Sequence, residues 1–198
     1  VVRLQPISSH WNRETGKKHS LFTYTNAEEV ELLVNGKSIG VKKNDATDVD
    51  KRNRVLWQNV PYAPGRITAI ARTKGKEVAR HQLETTGKAV ALKMEVENAG
   101  WKADGMDLQY VKVYAVDSKG RVVPEAAGEV VFDVAGAGRI IAVANGDHSS
   151  NDLFDGNKRP LHKGFAMVVI RSQQEPGEVK VKASVKGLRA AEKKMITQ

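Results

Sequence analysis

The clearest pattern of apolar and polar positions lies in Val30–Gly40, where two apolar runs flank the pair Asn35-Gly36. Asn-Gly is typical of a two-residue hairpin turn, because both residues readily adopt the positive φ of a type I′ turn. A hairpin here places Leu32 opposite Ile39, so that both share one buried face with Val34. The segment therefore predicts two antiparallel strands.

A helix is the competing interpretation of the same segment. It would be capped by Asn26, run through Ala27–Val30 and end just before Gly36. We prefer the hairpin because Gly40 and the β-branched residues around it leave little room for the helix to continue. This choice makes the first half of the chain all-β.

Short stretches rich in β-formers recur along the first half, separated by turn residues every 8–12 positions or so. The alternation in Arg66–Thr73 places Ile67, Ala69 and Ala71 on one face of a strand. We count six or seven strands up to Thr85, which is the pattern of a β-sandwich. No segment of the chain indicates a convincing helix.

A new series of strands begins after Thr85–Lys88, which we take as a domain boundary. The predicted organisation is all-β, with two consecutive β-sandwich domains at residues 1–86 and 87–198. Residues 145–164 are predicted to form one long strandless loop, and such loops are usually functional or mobile. The strands of the second domain are predicted at Ala89–Glu97, Leu108–Val116, Val130–Val134, Ile140–Ala144, Phe165–Arg171 and Glu178–Val185.

Composition narrows the range of functions. The 32 Lys and Arg exceed the 23 Asp and Glu, for a net charge of +9, but the excess is spread along the chain and few aromatic residues accompany it. Nucleic-acid binding is therefore disfavoured.

The absence of cysteine excludes disulfides, thiolate zinc sites and cysteine nucleophiles. No apolar run approaches the ~18 residues of a membrane span, and no signal peptide is visible. Because Val1 is not an initiator Met, we expect a piece of a longer protein.

Two glycine-containing motifs fail the structural context that their chemistry needs. Gly36–Gly40 matches the G-x-S-x-G nucleophile elbow of serine hydrolases, but that elbow requires a strained turn between a strand and a helix. Gly136–Gly138 lacks the third glycine and the following helix of a dinucleotide fingerprint. We therefore predict that Gly36–Gly40 belongs to a hairpin and that Gly136–Gly138 is a tight connection between strands.

Metal and cofactor binding have little support in the sequence. The five histidines show no metal-ligand spacing. The loop around Asp147, Asp152 and Asp155 is rich in the oxygen ligands that Ca²⁺ prefers, although the spacing is not that of an EF-hand. Asx-rich turns that bond to their own backbone are the commoner explanation. We expect no cofactor and retain calcium as a minority hypothesis.

Carbohydrate contact is the remaining chemistry to consider. Trp57, in an apolar strand, is predicted to lie in the core. Trp11 and Trp101 lie near polar turns, so we expect them to be exposed and able to stack on sugar rings. Asn145 and Asp147 of the Asx-rich loop are further candidates for sugar contact. Acidic residues occur mostly in turns or beside Lys and Arg, so none is assigned as catalytic.

Eight segments, in order over nearly the whole chain, match a known bacterial pattern: His10–Asn12, Thr23–Gly40, Trp57, Val60–Gly65, Ala103–Leu108, Val116–Pro124, Val131–Gly138 and Asn145–Asp147. In the first four, the chain resembles the non-catalytic domain that follows the barrel in many glycoside hydrolase family 2 enzymes of the β-galactosidase type. In the last four, it is similar to the immunoglobulin-like domain that comes next in those enzymes. Arg13 departs from the pattern, which tends to carry an aromatic residue there.

The resemblance implies two immunoglobulin-like sandwiches without catalytic residues, because the family's catalytic glutamates lie in an upstream barrel. It implies that the parent chain hydrolyses β-galactosides with retention and that its barrel is the partner of these domains. Homo-oligomerisation and a periplasmic or cell-surface location in a bacterium are further expectations. Two alternatives remain open: a carbohydrate-binding module, and an adhesin-like immunoglobulin module.

Overall fold

A computed structural model describes residues 1–5, 10–97 and 100–198 of the chain. Over these residues the regular secondary structure consists of β-strands, which confirms the all-β prediction. No helix in this part of the chain is long and apolar enough to cross a membrane. The chain divides into two compact units, Val1–Thr86 and Gly87–Gln198.

The first unit contains two antiparallel sheets, ordered along the sheet as β1-β2-β5 and β4-β3-β6-β7, whose inner faces share one apolar core. Ile67, Ala69 and Ala71 are buried on the inner face of their strand, as the alternation predicts. Trp57 is buried in the same core, which confirms its predicted position. The strands are β1 (Val2–Gln5), β2 (Lys18–Thr25), β3 (Glu29–Val34), β4 (Lys37–Lys43), β5 (Arg54–Pro61), β6 (Arg66–Thr73) and β7 (Lys76–Glu84).

The predicted hairpin is formed by β3 and β4. Asn35 and Gly36 have φ values of 50° and 82°, as a type I′ turn requires. The predicted pairing of Leu32 with Ile39 is wrong, because a bulge in β4 places Leu32 opposite Gly40 instead. Ile39 nevertheless packs against the core to which Leu32 belongs.

The side chain of Asn35 ties this hairpin turn to a second turn of the first unit. Its Nδ2 donates to the carbonyl oxygen of Pro64 at 3.0 Å, and its Oδ1 accepts from the backbone N–H of Arg66 at 2.7 Å. The amide sits so close to Gly65 that a Cβ there would collide with it, and Gly65 itself has a φ of 132°. Asn35 and Gly65 therefore form a clamp between two turns.

The described residues of the second unit form an eight-stranded antiparallel sandwich. One sheet has the order β11-β13-β9-β8 and the other the order β12-β10-β14-β15, with Phe132, Val111 and Ile170 in the core between them. The strands are β8 (Ala91–Val96), β9 (Leu108–Val116), β10 (Glu129–Gly136), β11 (Gly138–Ala144), β12 (Lys158–Pro160), β13 (Phe165–Ser172), β14 (Gly177–Ser184) and β15 (Ala191–Thr197).

Three strands differ from the sequence prediction. The sequence predicts no strand in residues 145–164, but β12 lies within this segment and pairs with the start of β10. Strands β1 and β15 were not predicted, and they pair with β2 and β14 respectively. All three are edge strands, each of which pairs with a single neighbour in its sheet.

Candidate functional site

Trp11 is buried, so the prediction that it is exposed is wrong. Only 1% of its surface is accessible, and its indole Nε1 donates to the carbonyl oxygen of Ala63 at 3.3 Å. The ring of Tyr62 packs against it edge-on, with 5.5 Å between ring centroids. Because the indole N–H has a backbone partner, the ring can be buried among polar turns without an unsatisfied donor.

Trp101 is buried in the same way, with 2% of its surface accessible. Its Nε1 donates to the carbonyl oxygen of Asp107 at 3.1 Å, and its ring belongs to the core of the second unit. Its predicted exposure is also wrong. Neither tryptophan can stack on a sugar ring, and the two carbohydrate-contact assignments therefore lose their basis.

Asn145 and Asp147 bond mainly within their own loop. Asn145 is buried, and its Nδ2 donates to the carbonyl oxygen of Pro160 at 3.0 Å. Asp147 Oδ1 accepts from the backbone N–H and the hydroxyl of Ser149 at 3.0 and 2.7 Å. These hydrogen bonds, followed by the charge of nearby His162, hold the pKa of Asp147 below its usual value. Both side chains therefore have a structural role in the loop.

The calcium candidates Asp147, Asp152 and Asp155 do not converge on one point. Within the described residues, no group of three or more His, Cys, Asp or Glu side chains is placed to hold a metal ion. Asp147 instead uses its oxygens for Ser149 and lies 3.5 Å from the Nδ1 of His162. The hydrogen bonds between Asp147 and Ser149 are those of an Asx turn, the interpretation that the sequence analysis favours for this loop.

Arg159 organises this loop, and the sequence analysis missed it. It lies on β12 with only 2% of its surface accessible. Its Nη1 donates to the carbonyl oxygens of Asp152 and Leu153 at 3.3 and 3.0 Å, and its guanidinium carbon lies 5.3 Å from the centroid of the Phe154 ring. A buried cation therefore fixes the loop through backbone carbonyls, while Leu153 and Phe154 remain exposed.

Asp117 is a buried carboxylate of the second unit that accepts several hydrogen bonds. It accepts from the backbone N–H groups of Gly87, Lys119 and Arg121 and from the guanidinium of Arg121, at 2.7 to 3.0 Å. Burial alone would raise the pKa of Asp117, but these hydrogen bonds outweigh it and lower the pKa far below the usual range. This carboxylate is held ionised, which suits an anchor for a turn and does not suit a proton donor.

His81 of β7 links its sheet to β1 through a hydrogen bond that requires a neutral ring. Its Nδ1 accepts from the backbone N–H of Leu4 at 3.2 Å. Burial, with a smaller contribution from the charge of Arg3, lowers the pKa of His81 below 6.5. Protonation of Nδ1 therefore removes the hydrogen bond.

We expect the melting temperature of the first unit to fall as the pH is lowered from 7 to 5. His81 takes up a proton more readily in the unfolded chain than in the folded chain. The stabilisation from its neutral ring is therefore present above pH 6.5 and is lost as the pH falls through the pKa of His81 in the folded state. The variant His81→Gln keeps an acceptor but does not titrate, so thermal melts should show a smaller dependence on pH. Equal slopes for the variant and the original chain would contradict this assignment.

Comparison with known proteins defines the family. The model of the glycoside hydrolase family 2 C-terminal domain 5 matches residues 92–194, just over half of the chain. The model of a domain of unknown function, DUF4982, matches residues 16–79. The two matches fall in the second and first units respectively.

Individual relatives extend the similarity over nearly the whole chain. The β-galactosidase BoGH2A of Bacteroides ovatus is 39% identical over 96% of this chain and 22% of that protein. A β-glucuronidase of Formosa agariphila is 32% identical over 92% of this chain and 18% of that protein. The crystal structure of a family 2 member from Bacteroides cellulosilyticus has a TM-score of 0.90 and 35% identity, covering 96% of this chain and 24% of that chain. The chain spans about a fifth of the length of these curated relatives. It belongs to the glycoside hydrolase family 2 C-terminal domain 5 family.

Proposed function

We propose that this chain is a pair of non-catalytic accessory domains of a larger family 2 glycoside hydrolase that acts on β-galactosides. The observation that carries the proposal is the alignment of 96% of this chain with 22% of the β-galactosidase BoGH2A. A sandwich is a rigid scaffold whose end loops can reach a neighbouring cleft. The partner of the two domains is then the catalytic part of the same polypeptide.

The electrostatics of the carboxyl groups support a non-catalytic role. A glycosidase needs one carboxylic acid whose raised pKa keeps it protonated until it donates to the leaving group. Side-chain hydrogen bonds from Ser38 and Ser149 lower the pKa of Glu31 and Asp147, and backbone N–H groups lower that of Asp104. Lowered pKa values suit carboxylates that hold turns and ion pairs.

The experiment is a hydrolysis assay of the purified 198-residue chain with a chromogenic β-galactoside, beside the full-length parent enzyme. We expect hydrolysis by the parent and none by the 198-residue chain, because the reacting carboxylates belong to the rest of the polypeptide. Release of the chromophore by the 198-residue chain would overturn the proposal. A parent that cleaves other glycosides but not β-galactosides would overturn the substrate assignment alone.

Glycan binding is a second candidate function. It no longer depends on Trp11 and Trp101, because both rings are buried. It is favoured by the outer face of the sheet β1-β2-β5, where the exposed Tyr24 lies between Arg3 and Arg54.

A further inference from the structure

The outer face of the sheet β1-β2-β5 carries a row of three side chains that crosses the strands. Arg3 pairs with Tyr24 across β1 and β2, and Tyr24 pairs with Arg54 across β2 and β5. All three are exposed, and Tyr24 has 40% of its surface accessible. With strands about 4.8 Å apart, the two arginine backbones are roughly 10 Å from each other. We call these three residues the Arg-Tyr-Arg row.

The three strands of this sheet contain no Asp or Glu, whereas each of the other three sheets contains at least one. On those sheets basic side chains pair with carboxylates, as Arg72 does with Glu31 and Lys180 with Glu178. Arg3 and Arg54 make no ion pair with any carboxylate in the described part of the chain. The row therefore carries two positive charges that are not neutralised by an ion pair.

Arg54 is held in place before any ligand arrives. Its Nη2 donates to the carbonyl oxygen of Asp50 at 3.2 Å, and its guanidinium carbon lies 5.2 Å from the centroid of the Phe22 ring. Phe22 is next to Tyr24 on the same face, with 6.4 Å between the ring centroids. A guanidinium fixed by a ring and a carbonyl loses less side-chain entropy when it binds an anion.

We propose that the Arg-Tyr-Arg row binds a polysaccharide that carries uronic acids. A sugar ring stacks on Tyr24, and carboxylates on the neighbouring sugars pair with Arg3 and Arg54. Arginine suits this role because its planar group binds a carboxylate with two parallel hydrogen bonds. The row crosses three neighbouring strands, which suits an extended chain that lies across them. The inference rests on the proposed function in one respect, that the parent enzyme acts on glycans.

The charge distribution favours a polysaccharide over single-stranded nucleic acid. A groove for nucleic acid needs a continuous positive track and several aromatic rings on which successive bases stack. Here one face of Phe22 is already covered by Arg54, which leaves Tyr24 as the exposed platform. The two arginines on either side of Tyr24 are also separate charges and do not form a continuous positive track.

The test measures binding of the 198-residue chain to polygalacturonate by affinity electrophoresis and calorimetry. The fully methyl-esterified polymer is the uncharged control. We expect binding to polygalacturonate only, weakened by added salt. Arg54→Gln and Arg3→Gln should each weaken it about tenfold, and Tyr24→Ala about fivefold. The control Arg80→Gln removes the same charge from a residue paired with Glu77 and should change the affinity less than about twofold.

Several outcomes would overturn the inference. These are equal binding of the esterified polymer, binding of dextran sulfate or single-stranded DNA but not polygalacturonate, and equal losses in the Arg54 and Arg80 variants. Amide chemical shifts on titration give a second measurement, and they should change in β1, β2 and β5 rather than in β10 or β14. Failure here leaves the hydrolysis assay unaffected, so the two proposals are tested separately.

Discussion

Replacing Trp101 with alanine is expected to lower the free energy of unfolding of residues 87–198 by about 3–5 kcal/mol. The indole has 2% of its surface accessible, and its Nε1 donates to the carbonyl oxygen of Asp107. Truncation leaves a large cavity in the core and removes that hydrogen bond. Urea denaturation followed by far-UV circular dichroism measures the loss.

A control for this prediction lies five residues further along the chain. Met106 is exposed, so Met106→Ala should change the free energy of unfolding by less than about 0.5 kcal/mol. If Trp101→Ala cost as little as Met106→Ala, the ring would be exposed after all. The experiment thus separates the structure from the expectation drawn from the polar neighbours of Trp101.

Asp117→Ala is expected to cost about 3 kcal/mol. The substitution leaves three backbone N–H groups without the Asp117 acceptor and removes the ion pair of Asp117 with Arg121, in a site where the aspartate side chain is 1% accessible. Because the pKa of Asp117 is lowered, its stabilisation is present above pH 3.8 and is lost as the pH falls below that value. Urea denaturation at neutral pH measures the cost.

Asp104 provides a matched control for Asp117. Its Oδ1 also accepts from two backbone N–H groups, those of Met106 and Asp107, but in an exposed turn where water can replace it. We expect Asp104→Ala to cost less than about 1 kcal/mol. Similar costs for the two variants would show that burial and the guanidinium of Arg121 add nothing to the anchor.

Local patterns were sufficient to predict most of the fold. Alternation in Arg66–Thr73 and the pair Asn35-Gly36 specify strands and a turn through contacts within a few residues, and the structure confirms both. The one-residue shift at Leu32 was not predictable from the pattern, because a bulge changes the pairing without changing the order of apolar residues. The last strand, Ala191–Thr197, carries three consecutive charged residues and no clear alternation, and it exists because β14 offers it a partner.

The buried side chains of the loops could not be predicted from their neighbours in sequence. Trp11 is surrounded by polar residues, yet its partner for hydrogen bonding, Ala63, lies 52 positions away. Arg159 would ordinarily be placed at the surface, because buried arginine is rare unless paired. Its partners are the backbone carbonyls of Asp152 and Leu153, which become acceptors only once the loop has folded over β12. Contacts with backbone carbonyls that only the folded chain presents leave no signature in the neighbouring sequence.

The clamp between Asn35 and Gly65 has a consequence for protein engineering. Tight hairpins are attractive places to insert an epitope or a peptide tag, and Asn35-Gly36 would be an obvious choice. Any insertion that displaces the Asn35 amide also strips the carbonyl of Pro64 and the N–H of Arg66 of their partners, some thirty residues downstream. An insertion at Asn35-Gly36 therefore requires that the turn at Pro64–Arg66 be redesigned together with it.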